Sequence, residues 1–236
     1  MVKKILGLFL IFSCCLTSLA FAEGNKPVQL AFWSPIQLFS ASDSIKGFRL
    51  NLFYTDNLDV SGLTLGAGWA KTSGDMKGVS LGAVNWADGF SYGVKAGILN
   101  YAGDHSVGLD LGVVNIGSGD TTGVQLGIVN WNEGFFHGFQ SGVVNRTNGQ
   151  FVGWQAGAVN IAKDLSGFQS GVVNYVDGVM TGFQLGIYNY AKSANGVQIG
   201  ILGNGTDSLN GLQIGFMNYN GNEDPMLIMI VANWSF

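Results

Sequence analysis

Gly123-Val-Gln-Leu-Gly-Ile-Val-Asn130 carries the pattern on which the fold turns. Gly123, Gln125 and Gly127 alternate with Val124, Leu126 and Ile128. A period of two puts small and polar groups on one face of a strand and apolar groups on the other. Two glycines within eight residues also argue against a helix.

The same unit returns along the chain. Close copies run from Gly138 to Asn145, Gly153 to Asn160, Gly167 to Asn174 and Gly182 to Asn189. Looser copies start at Gly47, Gly62, Gly78, Gly93, Gly108, Gly196 and Gly211. Consecutive starts lie 15 residues apart, with three steps of 14 or 16. A degenerate copy, Met226 to Asn233, follows them. The third position of the unit is polar throughout. It reads Arg49, Thr64, Ser80, Lys95, Asp110, Gln125, Gln140, Gln155, Gln169, Gln184, Gln198 and Gln213. This column is the candidate functional feature.

Turn signals separate the units. Suppose neighbouring units run antiparallel, each third-position side chain facing a fifth-position glycine. The connections then centre on Asp88-Gly89, Gly103-Asp104, Ser118-Gly119, Glu133-Gly134, Asn148-Gly149 and Asp177-Gly178. These are sequences of the two-residue hairpin type. Val28 to Phe39 and Met226 to Phe236 add a strand at either end. The favoured expectation is an all-β chain, an antiparallel up-and-down meander closing as a barrel of about 14 strands, an even count as in outer-membrane barrels. The polar column would line its lumen and offer small solutes a hydrated path. The alternative is a parallel β-solenoid with 15-residue coils, in which Asn85, Asn100, Asn115 and Asn130 form an internal ladder. Lys95 and Asp110 would then sit on adjacent coils as an exposed pair. Tyr101 and its equivalents share strict parity with Lys95, which would put the aromatics beside the polar column.

The chain has 236 residues, 37 of them Gly and three Pro, with 47% hydrophobic and 11% charged residues. Disorder needs the opposite balance, and collagen needs proline. Eleven Lys and Arg against 15 Asp and Glu build no basic patch, so no nucleic-acid partner is expected. Residues 1–22 read as a secretory signal: Lys3 and Lys4, the apolar run Ile5 to Phe12, then Ala20-Phe21-Ala22. Cys14 and Cys15 fall inside it, so the exported chain has neither disulfides nor thiol chemistry. The expected organisation is signal 1–22, N-terminal strand and linker 23–46, repeat strands 47–225 and closing strand 226–236.

No catalytic, metal or cofactor site is expected, and the chain is not read as an enzyme. Asp104-His105-Ser106 holds the three residue types of a triad. Neighbours on an extended chain point to opposite faces and cannot converge as a triad does.

Met226-Leu-Ile-Met-Ile-Val-Ala-Asn-Trp-Ser-Phe236 resembles the terminal strand of bacterial outer-membrane β-barrels. The resemblance implies that Trp234 and Phe236 form an assembly signal, with outer-membrane lipid and the barrel-assembly machinery as partners. Residues 47 to 236 are also similar to a bacterial surface-repeat family with short Gly-x-Gln-x-Gly-x-x-Asn units. That implies an exported protein of the outer membrane or cell surface, and no particular ligand. The expected function is an outer-membrane barrel with a structural or pore-like role. The alternative is a surface-exposed repeat protein that binds or adheres.

Overall fold

The computed structural model describes residues 26–236. The secretory signal expected at 1–22 lies outside the described residues. The strands are β1 (Lys26–Trp33), β2 (Ile36–Gln37), β3 (Ile45–Asn57), β4 (Val60–Thr72), β5 (Met76–Ala87), β6 (Ser91–Ala102), β7 (Ser106–Gly117), β8 (Thr121–Leu126), β9 (Val129–Asn132), β10 (Phe136–Asn220) and β11 (Ile228–Ser235).

From β1 and β3 through to β10, each strand pairs with the next in parallel. Like residues stack on like: Gly93 pairs with Gly108, Lys95 with Asp110, Asn100 with Asn115. Strands β8 and β9 are two parts of one coil, both flanked by β7 and β10. Strand β10 is a ribbon of 85 residues that winds through several coils without a break. The fold is therefore a parallel β-solenoid, and the antiparallel barrel expected above is corrected. No glutamine faces a glycine across a hairpin.

The turn residues explain the misreading. Asp75, Asp120 and Asp164 each accept, through Oδ1, the backbone N–H of a residue in the next turn: Phe90, Phe135 and Val179. Polar turn residues of the kind that suit a hairpin thus also staple one corner of a coil to the next. Local sequence does not say whether the chain doubles back or goes round.

The first glycine of each unit makes a second corner. Twelve of them, from Gly47 to Gly211, have φ between 122° and 148°. That region is open to glycine and closed to other residues. A Cβ at Gly93 would also land on the carbonyl oxygen of Gly78, one coil below.

Four columns fill the interior. One lies two residues before the corner glycine, running Ser91, Ser106, Thr121, Phe136, Phe151. The others are the third-position column, the asparagines, and the residues two beyond them, such as Ala102, Asn132 and Ala162. Lys95 and Asn100 are both buried, five residues apart. The alternation therefore slips once per coil between them. This slip turns Tyr101 outward and removes the expected parity with Lys95. Towards the C-terminus two of the four columns become apolar, around Phe136, Phe151, Leu165, Val176 and Met180, while the glutamine and asparagine columns continue. The Phe136 and Phe151 rings stack with centroids 5.2 Å apart.

Both ends are covered by irregular strands. At the start, β2 pairs antiparallel with β1. At the other end β11 lies antiparallel on the last coil, Leu212 opposite Trp234 and Gln213 opposite Asn233.

Candidate functional site

All twelve residues of the polar column are brought into one line, and that line is closed. Arg49, Thr64, Lys95, Gln125 and Gln198 are each 1% exposed, Ser80 2% and Asp110 5%, and Gln140, Gln155, Gln169, Gln184 and Gln213 are fully buried. The column is core, not the lining of a lumen, because a 15-residue coil is too tight to leave one.

The seven glutamines hydrogen-bond to each other. Gln155 donates through Nε2 to Gln140 Oε1 at 2.8 Å, and Gln169 donates likewise to Gln155 at 2.7 Å. The series continues from Gln213 down to Gln125. The asparagines run the other way. Asn145 Nδ2 donates to Asn160 Oδ1, and the chain of bonds extends from Asn85 to Asn218. Each asparagine also donates to a backbone carbonyl of the following coil, as Asn145 does to Ala156. The opposed directions leave the two rows of amide dipoles largely cancelled.

Lys95 Nζ lies 3.1 Å from Asp110 Oδ1 and donates to Ser91 Oγ and Ser106 Oγ. The pair is buried, with side-chain exposures of 2% and 7%. The expectation of an exposed pair is corrected: these side chains point into the coil. Arg49 donates to Thr64 Oγ1, Lys71 O and Thr72 Oγ1. Burial lowers its pKa to about 9, with Asp56 opposing, so the guanidinium stays charged at neutral pH.

The chemistry available to a partner is on the outside. An outward-facing aromatic column, exposed at Trp33 and Trp69 and half-buried elsewhere, lies beside the asparagine position. Trp86 and Tyr101 come just after the asparagine, whereas Tyr54 and Trp69 register with Val84, one residue before it. Trp33, Tyr54, Trp69, Trp86 and Tyr101 follow one another with ring centroids 6.1, 5.8, 5.7 and 3.8 Å apart. A groove of about 520 Å³ runs along it, edged by Phe53, Lys71 and Asp88. Lys71 and Asp88 pair at 3.3 Å. A second aromatic column, Phe139, Trp154, Phe168 and Phe183, lies on another face. Nearer the C-terminus a groove of about 500 Å³ opens between Tyr190 and Tyr219. His105 sits at an exposed turn, Nε2 3.5 Å from Asp120 Oδ2, while Ser106 points inward to Lys95. The three letters of the apparent triad do not meet.

Trp234 and Phe236 lie on or just beyond the capping strand, 44% and 94% exposed. The stacking of aromatics into grooves does not follow from the sequence pattern alone: Tyr54–Trp69 and Trp86–Tyr101 keep the 15-residue spacing, but Trp69 and Trp86 are 17 apart.

Comparison with family models, curated proteins and solved structures finds no match to this chain. The fold and its surface define the class: a parallel β-solenoid repeat protein with aromatic columns on its outside.

Proposed function

We propose that the chain is a surface-exposed repeat protein that binds or adheres through the outside of its solenoid. The observation that carries this reading is the outward-facing column Trp33–Tyr54–Trp69–Trp86–Tyr101, exposed at Trp33 and Trp69 and half-buried at the other rings. Soluble monomers rarely leave contiguous apolar patches uncovered unless they meet a partner there. Aromatic rings with a polar edge are also the groups that dominate binding surfaces. The interior, by contrast, is spent on holding coils together. Export and surface placement rest on the signal-like N-terminus and on the resemblance to surface-repeat proteins.

Surface labelling of intact cells and their adherence to coated surfaces test the proposal together. The chain should be labelled without lysis. Trp69→Ser with Trp86→Ser should lower adherence several-fold while the melting midpoint stays within a few degrees. Undiminished adherence by that folded double variant, or labelling only after lysis, contradicts the reading.

A further inference from the structure

The position after the asparagine carries a large side chain in every coil from Trp86 to Tyr219 except one. Tyr175 and Tyr190 stack with centroids 5.2 Å apart, and Tyr219 resumes the column beyond them. The intervening position is Gly205. This coil also contains an extra residue. Gly196 and Asn204 are eight apart, where Gly182 and Asn189 are seven apart, and the surplus shows as Gly203 beside the gap. A Cβ at Gly203 would come no nearer than 3.3 Å to Met217 O, and one at Gly205 would meet the Tyr190 ring at 3.2 Å. The corner glycines differ, because a Cβ there would strike backbone. At Gly203 and Gly205 a Cβ would be a tight fit against Met217 O and the Tyr190 ring rather than a collision with packed backbone, and the groove opens over both glycines.

The slot so formed has Tyr188 and Tyr190 on one wall and Met217 and Tyr219 on the other. With coils about 4.8 Å apart, one missing rung leaves about 9.6 Å between the walls. A group at its middle lies within the roughly 6 Å over which a cation is drawn to a ring face. No lysine or arginine lines the slot. Two carboxylates bond the tyrosine hydroxyls: Tyr190 donates to Asp207 Oδ1 at 3.3 Å, and Tyr175 to Asp177 Oδ1 at 3.4 Å. Burial pushes the Tyr190 phenol upward, and Asp207, Tyr175 and Asp177 add to it. The N-terminal groove lacks this character, since Lys71 stands there beside Asp88.

We propose that the slot over Gly203 and Gly205 binds an organic ammonium group, a quaternary or alkylated amine, between the faces of Tyr188, Tyr190 and Tyr219. Aromatic faces with outlying carboxylates suit a weakly hydrated cation, which a bare apolar ring or an anion would not exploit. The inference deepens the reading of the outer surface as a binding face by naming a ligand class for one coil.

Titration of the full exported chain with choline, followed by calorimetry and tyrosine fluorescence, tests it. Saturable binding is expected. The neutral isostere 3,3-dimethylbutan-1-ol should bind at least tenfold more weakly. Gly205→Tyr restores the rung and should abolish choline binding while the melting midpoint holds or rises. Tyr219→Leu, at an exposed position, should weaken binding in a chain that remains folded. Asp207→Asn should weaken it less. Equal binding of the neutral isostere overturns the proposal, as does undiminished binding by folded Gly205→Tyr or Tyr219→Leu, or no saturable binding at all. Phosphatidylcholine vesicles tell a lipid headgroup from a free amine, and capture by either supports an ammonium site. Choline binding in solution does not depend on cellular location, so it stands or falls separately from adherence.

Discussion

Gln155 donates to Gln140 and accepts from Gln169, so one residue serves three coils. Replacing it with Leu keeps the volume but strands the Gln169 donor above and leaves Gln140 Oε1 below with only the Thr147 hydroxyl, 3.4 Å away. Leaving a buried group unpaired in this way costs about 1–3 kcal/mol. Gln155→Leu should therefore lower the denaturant midpoint clearly, with an unchanged slope. A midpoint equal to wild type would mean that the ladder is not closed to water. The buried pair makes a sharper test. Lys95→Met alone leaves Asp110 uncompensated, and breaking such a pair typically costs about 3–5 kcal/mol. Lys95→Met with Asp110→Leu should recover most of that loss, since an apolar pair of similar volume fits a closed interior. Chemical denaturation of the three variants decides it. At this scale the polar third position follows from spacing, and the asparagine ladder belongs to the alternative solenoid reading. The burial of the column inside a solenoid does not follow, since the sequence reading leaves Lys95 and Asp110 exposed there. What was not legible was the partner of each side chain. A glutamine on a glycine and a glutamine on a glutamine satisfy the same one-dimensional pattern.

At the scale of the element, β11 replaces a missing coil. Its antiparallel pairing closes the backbone edge of the last coil, an edge that otherwise invites association. Ending the chain after Pro225 should expose that edge and produce higher oligomers, seen by light scattering after gel filtration. A monomer would show that the edge is harmless. Phe236, at 94% exposed, carries little packing, so Phe236→Ala should leave the unfolding free energy from denaturant titration within about 0.5 kcal/mol of wild type. The apolar run of β11 was readable as a strand, but not as a cap. A final strand of a barrel and a lid on a solenoid require the same composition. The slip in alternation between Lys95 and Asn100 was equally hidden, because it belongs to a bend that closes only in three dimensions. The slot at Gly205 left a trace in the sequence, an extra residue and a lost aromatic, that gains meaning once neighbouring coils are known.

At the scale of the molecule each coil touches chiefly the coils before and after it, so its stability is a sum over neighbours. Removing residues 139–153 should join Gly138 to Trp154 in register and leave a shorter folded solenoid. Removing only residues 139–146 should break every column beyond the cut. Circular dichroism and cooperative melting of the two deletions separate them. In a meander of hairpins, loss of one whole unit would reverse the direction of every later strand.

The central claim is that the coils stack in parallel along one axis. Spin labels on the exposed column Ile98, Val143, Val172 and Ile201 measure this directly. Taken from Ile98, double electron–electron resonance should give distances that grow steadily, to about 14, 24 and 34 Å for three, five and seven rungs of about 4.8 Å. Distances that level off or shorten as the separation in sequence increases, as strands arranged in a ring require, would contradict the account.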